Sequence, residues 1–380
     1  MQVVTATSVV VPISQERKSG TDRFHRPELD VLRFVAFLMV FMHHSFSGNG
    51  GRILRSIRDA GAFGVCLFFL LSSYLITELL RREQLRTGDI HIKAFYVRRI
   101  LRIWPLYFFM LLLGYVAGKV GFTVPLTFGR LVAFALLAGN WYTGIFGYIG
   151  NFIFPLWSIS LEEQFYLLWP TIMRAGRKRG IIIAGVVFWA TSFLVLAILI
   201  KLHASLNEAI WTNTLVQFQF FALGGLLAVF LDGRMPRISG YRIPLLLMGG
   251  LSYFVADSVF DVKRADAIAT MPTTIPGYFM LGIGTVLIFV GVLGVELPKF
   301  SKPFIYLGKI SYGLYAFQVL GNYLAHWSLK HIERLHRGSI LVMPTALILT
   351  IAMASVSYKF IESPFLKLKE RFTFIHSRSV

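Results

Sequence analysis

The chain has 380 residues, of which 56% are hydrophobic and only 15% are charged. A soluble domain normally carries about 25% charged residues, so this composition argues against a soluble globular enzyme. Lys and Arg number 38 against 19 Asp and Glu, a formal net charge of +19. Because the basic residues cluster at the ends of apolar segments, we attribute this charge to membrane orientation and expect no nucleic-acid partner. The single cysteine, Cys66, excludes an intrachain disulfide and a cysteine-based metal site, and we expect no metal.

Residues 1–28 are polar and basic and lack the features of a cleaved signal peptide, which predicts a disordered cytoplasmic tail. Apolar stretches then recur through the chain, and a membrane-spanning helix needs roughly 20 such residues. The stretches are 29–46, 61–80, 103–120, 129–142, 156–173, 181–201, 215–231, 243–260, 274–294, 304–325 and 339–360.

The stretch 129–142 is short and is followed by a Gly-rich segment, so we predict a re-entrant or interfacial segment there. The others predict an all-α, polytopic membrane helix bundle of about ten transmembrane helices over residues 29–362. Most basic residues lie in loops on the side that holds the N-terminus, so both termini, including a tail at 363–380, are expected in the cytoplasm. The outer group Arg52, Arg55 and Arg58 departs from this rule.

The first apolar stretch carries charged and titratable residues. Arg33 and His44 are eleven positions apart, so they lie on one face of a helix roughly 16 Å apart along its axis. Asp30 is placed to pair with Arg33. A neutral imidazole at His44 can take a proton from a hydroxyl group, with His43 as a second candidate. The alternative is that Arg33 extends to the membrane surface and both histidines lie at the outer interface.

A basic face is predicted at the inner end of the third apolar stretch. Arg98 and Arg102 are four positions apart, and Arg99 and Arg102 are three apart. Guanidinium groups bind phosphates through paired hydrogen bonds. The alternative is anchoring to anionic lipid head groups.

Two adjacent carboxylates, Glu162 and Glu163, lie within the fifth apolar stretch. They point about 100° apart on a helix, so one can face a cavity while the other pairs with an arginine. Glu162 shares its helical stripe with Ser158 and Tyr166. A carboxylate beside a histidine would orient the ring and stabilise its charged form. The alternative is an internal structural ion pair.

These segments, taken in order, resemble the acyltransferase-3 family of integral membrane O-acyltransferases over about residues 26–370. The matching motifs are Leu29-Asp30-Val31-Leu32-Arg33 followed by His44; Gly64 to Ser72; Arg98, Arg99, Arg102, Ile103 and Pro105; Trp157, Ser158 and Glu162 to Pro170; Ser311 to Tyr315; and Ile361 to Phe365. The chain departs from the family pattern at Cys66, Ser73, Pro155 and Gln318.

The resemblance implies transfer of an acyl group, often acetyl, from cytosolic acyl-CoA to a hydroxyl of a carbohydrate or lipid-linked glycan in a bacterial cytoplasmic membrane. On this interpretation Arg33, Arg98, Arg99 and Arg102 hold the acyl-CoA, and Trp157, Ser158 and Tyr166 bind substrate. His44 acts as general base or as a transient acyl carrier, and Glu162 or Glu163 orients it. We therefore expect a passage from the arginine-lined inner mouth to His44.

Two other functions fit the composition. A transporter or flippase also combines many membrane spans with buried charge, but no inverted pair of Gly- or Pro-broken spans is evident. A non-catalytic membrane scaffold would leave the buried Glu162-Glu163 pair as an unexplained cost. The sequence leaves the acceptor, the acyl chain length and the oligomeric state open.

Overall fold

The structure, a computed structural model, describes residues 24–45, 51–236, 238–263, 267–329 and 338–375. Within these ranges every regular element is helical, which confirms the predicted all-α class. The α-helices are α1 (Pro27–Ser45), α2 (Arg52–Ala60), α3 (Gly64–Thr87), α4 (Ile92–Lys119), α5 (Phe128–Ala135), α6 (Gly139–Phe146), α7 (Leu156–Lys201), α8 (Thr214–Leu231), α9 (Arg242–Ser258), α10 (Met271–Val292), α11 (Lys302–Lys309), α12 (Ser311–Leu329), α13 (Gly338–Ser357) and α14 (Ser363–Glu370).

Six helical segments in the described ranges are long and apolar enough to cross a membrane. They are Ile53–Thr87, Ile92–Lys119, Leu156–Lys201, Thr214–Leu231, Met271–Val292 and Leu341–Glu370. The predicted number of about ten crossings is therefore not confirmed. Helix α1 carries three charged residues near its start, and α9 has only 17 residues, so both predicted spans fall outside the six.

Helix α7 covers two of the predicted apolar stretches. Its 46 residues would reach about 69 Å if straight, more than twice a hydrocarbon core of about 30 Å. The helix is interrupted at Arg177, whose backbone has φ 48° and ψ −142°. The break lies in the basic segment between the two stretches, so α7 consists of two helical segments.

The stretch 129–142 is occupied by α5 and α6, which have eight residues each. A helix of that length rises only about 12 Å, too little to cross a bilayer. This agrees with its exclusion from the predicted spans.

Helix α1 lies at the centre of the bundle, in contact with α2, α3, α11 and α12. Its apolar residues Leu29, Phe37 and Phe41 are fully buried. The second segment of α7, after Arg177, instead exposes apolar side chains, among them Ile183 and Leu194. Such an exposed apolar surface is typical of contact with lipid, so the core of the protein sits around α1.

The ends of the described chain are ordered beyond the predicted domain limits. Phe24 is buried under the guanidinium of Arg82, whose Cζ lies 4.4 Å from the ring centroid. At the other end, α14 packs against α4 within the segment predicted as a tail. The remaining parts of the predicted tails, 1–23 and 376–380, lie outside the described residues.

Gly308 permits the close approach of α11 to α1. A Cβ atom at this position would lie 1.8 Å from the backbone oxygen of Asp30, so the two helices would have to separate. We expect Gly308→Ala to lower the free energy of unfolding by about 1–3 kcal/mol, as overpacked substitutions do. Thermal unfolding of the purified protein in detergent, followed by tryptophan fluorescence, measures the effect.

Gly250→Ala is the matched control, because a Cβ atom at Gly250 of α9 meets no atom within 4 Å. Alanine has the higher helix propensity, so this variant should unfold at or above the wild-type temperature. Equal unfolding temperatures for both variants would contradict the tight packing at Gly308.

Candidate active site

A cavity opens at one end of the bundle, and we call it the basic cavity. Its walls contain cationic side chains from α1, α4, α11 and α14 and from the segment before α1. They are Arg26, Arg33, Arg99, Arg102, Lys309 and Lys369. Among the described residues no carboxylate lines this cavity, so its charge suits a polyanionic ligand.

Helix α4 supplies two of these cations because Arg99 and Arg102 are one turn apart. Neither residue has an ion-pair partner within the described ranges, since the ion pairs found there involve other residues. Arg33 on α1 has a long pairing of 3.6 Å with Asp30, as its spacing predicts. The free cations of α4 therefore keep their capacity to bind an anion.

Arg98 is placed differently from the other two arginines of α4. Its Nη2 donates to Glu83 Oε2 at 2.7 Å, and its Nη1 donates to the Phe372 carbonyl at 2.8 Å. It does not line the basic cavity and instead lines a neighbouring cavity, which it shares with Arg99 and Lys369. The three arginines predicted to form one face are thus divided, and Arg98 joins α3 to the chain after α14.

A second cavity, the middle cavity, shares Arg33, Ser72, Arg99 and Arg102 with the basic cavity. The two cavities therefore adjoin each other at these four residues. Glu162, Tyr166 and Ser158 line the middle cavity from α7, as their common helical stripe predicts. Two of the predicted substrate-binding residues therefore lie beside the predicted arginines.

Glu162 is held by a short chain of hydrogen bonds. The Tyr166 hydroxyl donates to Glu162 Oε2 at 3.1 Å, and Ser72 Oγ hydrogen-bonds to the same hydroxyl. Since the tyrosine proton is directed at Glu162, Ser72 is the donor in the second bond. Arg33 and Arg99 interact electrostatically with Glu162, so this carboxylate balances the charge of the arginines.

A third cavity, the histidine cavity, is lined by both His43 and His44. It shares Val65 and Tyr315 with the middle cavity. Tyr315 makes a hydrogen bond of 2.8 Å with Ser158 at this boundary. Three adjoining cavities therefore lie in a row between the arginines and His44, and the open passage expected from the sequence stays a prediction.

The expected contact between His44 and Glu162 or Glu163 is not formed. Glu163 accepts a hydrogen bond of 3.1 Å from Trp104 Nε1, and its other oxygen is buried without a hydrogen-bond partner. Glu162 faces the middle cavity, one cavity away from His44. The side chains of Glu162 and Glu163 point about 100° apart on the helix, and neither of them reaches His44.

His44 Nδ1 is buried and has no hydrogen-bond partner among the described residues. The side chain of Gln318, one of the departures from the family pattern, faces it. Phe154 packs edge-on against the ring, with centroids 5.2 Å apart. His44 therefore points into the protein and not toward lipid.

His43 contacts a carboxylate that the sequence analysis missed. Its Nδ1 lies 3.8 Å from Asp59 Oδ1 and donates to the Arg58 carbonyl at 3.2 Å. Arg58 Nε in turn donates to Asp59 at 2.8 Å. Arg58 is one of the three outer arginines that depart from the positive-inside rule. Its contacts with His43 and Asp59 give it a structural role beside the histidines. The histidine pair is also close, with ring centroids 5.1 Å apart.

Trp157, the third predicted substrate-binding residue, lines the histidine cavity and not the middle one. Three lysines that line cavities were not predicted as site residues: Lys309 and Lys369 in the basic cavity and Lys263 in the histidine cavity. Lys309 interrupts an apolar stretch, and this is a signal that could have identified it. Lys263 and Lys369 lie in polar segments, where a lysine attracts no notice.

Two other departures from the family pattern, Ser73 and Cys66, are fully buried. Ser73 Oγ donates to the Phe221 carbonyl at 2.6 Å, which joins α3 to α8. Cys66 is buried as a free thiol. Neither residue lines one of the three cavities.

Comparison with known proteins gives one family match, to the acyltransferase-3 model described as "Acyltransferase domain", over residues 26–359. Among curated relatives, a putative O-acetyltransferase SAS0844 of Staphylococcus aureus (strain MSSA476) is 29% identical over 373 residues. The alignment covers 90% of this chain and 58% of that protein. The O-acetyltransferase OatA of Staphylococcus aureus (strain NCTC 8325 / PS 47) is 26% identical, with 90% of this chain and 57% of the relative covered. The chain thus spans less than two thirds of the length of these relatives. No solved structure matches.

Proposed function

This chain belongs to the acyltransferase-3 family of membrane proteins, and we propose that it transfers an acetyl group from cytosolic acetyl-CoA to a hydroxyl of a carbohydrate or lipid-linked glycan. The observation that carries the proposal is the row of three adjoining cavities between a cluster of cations and the partly buried imidazole of His44. One end of this row suits a phosphorylated donor, and the other holds a base.

The basic cavity would hold the phosphates of the donor. Arg102, Lys309 and Lys369 converge there from three different helices, and phosphate oxygens accept charge-assisted hydrogen bonds from such groups. Arg33 and Arg99 lie at the entrance to the middle cavity. The flexible arm of the donor would pass them and carry its thioester toward Tyr315 and His44.

The chemistry needs a base at the far end of the row. A neutral His44 ring would take the proton of the acceptor hydroxyl while the hydroxyl oxygen attacks the thioester carbonyl. The carbon–sulfur bond then breaks, and the departing CoA sulfur takes the proton from the imidazolium. This sequence balances protons without any further reactant. A transient acyl group on His44 is the second route.

Glu162 would balance the arginines and not the histidine. Its contacts with Tyr166 and its proximity to Arg33 and Arg99 support this role. Asp59 is the carboxylate near the histidine pair. We therefore move the orienting role expected of Glu162 or Glu163 to Asp59, acting on His43.

The proposed direction of transfer follows from the positive-inside rule. The cations of the basic cavity lie at the end of the bundle to which the rule assigns both termini. We propose that this end faces the bacterial cytoplasm, where acetyl-CoA is available. The histidine cavity would then lie toward the outer face of the cytoplasmic membrane.

Reconstitution of the purified chain in sealed vesicles tests the proposal. With acetyl-CoA inside the vesicles and glycan fragments outside, we expect free CoA thiol and acetylated glycan to appear in equal amounts. A thiol reagent measures the first and mass spectrometry the second. The His44→Ala variant in identical vesicles is the control.

Two results would contradict parts of this proposal. Movement of glycan across the membrane without release of CoA would indicate the transporter alternative, since a row of cavities also describes a transport path. Unchanged envelope glycan acetylation in cells without the gene would contradict a role in glycan modification.

A further inference from the structure

The histidine cavity has a cation on its wall that the proposed chemistry does not use. Lys263 lies after α9, and its ammonium donates to Asn207 Oδ1 at 2.9 Å. The same Nζ lies 4.7 Å from the centroid of the Trp211 ring. A lysine ammonium has three donors, and only one of them has a hydrogen-bond acceptor within the described ranges. Unused donors remain next to the cavity.

Among the described residues, no carboxylate forms an ion pair with the Lys263 ammonium. Asp59, Asp257 and Glu208 interact with it electrostatically, but none of them pairs with its Nζ within 4.0 Å or lines the cavity. Burial lowers the pKa of Lys263, which lies outside the membrane-spanning segments, to about 8, so the group is mostly charged at neutral pH.

The rest of the cavity wall is aromatic. Trp157 and Trp211 line it with their ring centroids 6.5 Å apart, and Tyr148 and Phe154 add two further rings. A concave apolar wall with a few placed polar groups is typical of a binding site for a small organic ligand. Sugar rings present C–H faces that pack on such aromatic walls and polar groups at their edges.

Resting on the proposed function, we propose that the histidine cavity is the acceptor site and that its acceptor is a sugar carrying a carboxylate or a phosphate. The anionic group binds the free donors of Lys263, the sugar ring packs against the aromatic wall at Tyr148 and Phe154, and a hydroxyl faces His44. Lys263 is a specificity-determining residue and takes no part in the proton transfer.

The test compares acceptors on the wild-type chain before any substitution is made. Matched glycan fragments are assayed in three forms: with a sugar carboxylate, with that carboxylate reduced to an alcohol, and with a sugar phosphate. We expect a KM at least about tenfold lower for one of the anionic forms, because one charge-assisted contact is lost in the reduced form. If the carboxylate form has the lower KM, the preferred anionic group is a carboxylate, and if the phosphate form has the lower KM, it is a phosphate. Equal KM values for all three forms would overturn the proposal.

Variants of Lys263 connect this preference to the residue. Lys263→Gln should raise the KM for the preferred anionic acceptor about tenfold or more and leave the KM for the reduced acceptor and for acetyl-CoA unchanged. Lys263→Arg keeps the charge and should keep the preference. The control is Lys201→Gln, which removes an exposed lysine at the end of α7.

An equal rise in KM for anionic and reduced acceptors would show that Lys263 only supports the fold. Loss of the folded state in both Lys263→Gln and Lys263→Arg would also show that Lys263 only supports the fold. If no acceptor is acetylated, the proposed function itself fails. That result differs from acetylation without an anion preference.

Discussion

Replacing His44 with alanine is expected to lower the rate of acyl transfer by about 10²–10⁴-fold, the usual contribution of a general base. His44 lines a cavity that adjoins the arginine-lined middle cavity. Its ring is packed against Phe154 and has a buried nitrogen without a hydrogen-bond partner in the described chain. The rate of CoA release from acetyl-CoA in the presence of glycan acceptor measures the loss.

The matched variant is His43→Ala, on the same helix and in the same cavity. His43 Nδ1 is committed to the Arg58 carbonyl, so we expect this variant to lose less activity than His44→Ala. His44→Ala should insert and unfold like the wild type, because its Nδ1 makes no hydrogen bond with a described residue. His43→Ala loses the hydrogen bond to the Arg58 carbonyl, so its unfolding temperature should be lower than that of His44→Ala. Normal turnover by His44→Ala together with loss of turnover by His43→Ala would assign the base to His43.

Replacing Arg102 with glutamine is expected to weaken binding of acetyl-CoA by about 10- to 100-fold, the range for loss of one hydrogen bond to a charged group. Arg102 lines both the basic and the middle cavities, and no ion pair in the described ranges involves it. Its guanidinium is therefore free to contact a phosphate. Titration of the detergent-purified protein with acetyl-CoA at low salt measures the affinity, and added salt should reduce the wild-type affinity more than that of the variant.

Arg98→Gln is the comparison on the same helix. Arg98 is bound to Glu83 and to the Phe372 carbonyl, so its loss leaves a buried carboxylate with one fewer partner. Breaking such a buried pair is strongly destabilising. We expect a lower unfolding temperature with little change in acetyl-CoA affinity. The opposite result would be weak acetyl-CoA binding in Arg98→Gln and normal binding in Arg102→Gln. It would assign acetyl-CoA binding to Arg98 and lipid anchoring to Arg102.

The departure of Arg98 from the predicted face shows the limit of helical spacing. Residues three and four apart on a helix are neighbours, and this is why Arg99 and Arg102 meet in one cavity. The same rule cannot tell which neighbouring helix carries a carboxylate. Glu83 on α3 reaches Arg98, and this long-range contact removes it from the cavity.

The separation of His44 from Glu162 also depends on how different helices pack, which helical spacing does not predict. Each residue faces a cavity, as its position among apolar neighbours predicts. Whether a carboxylate on α7 meets an imidazole on α1 depends on how far each helix extends along the bundle. The hydrogen bond between Tyr315 and Ser158 lies at the boundary between the middle cavity and the histidine cavity.

The amino-acid sequence alone determined the helical class, the membrane character and the family, together with the shared face of Arg33 and His44 on α1. These properties depend on composition, on the 3.6-residue period and on ordered motifs, all of which are local in the chain. The tertiary structure alone decided the number of helices long and apolar enough to cross, the division of the arginines, the pairing of His43 with Asp59, and the arrival of Lys263, Lys309 and Lys369 at the cavities. Those features arise from contacts between residues far apart in sequence, and packing of whole helices sets them.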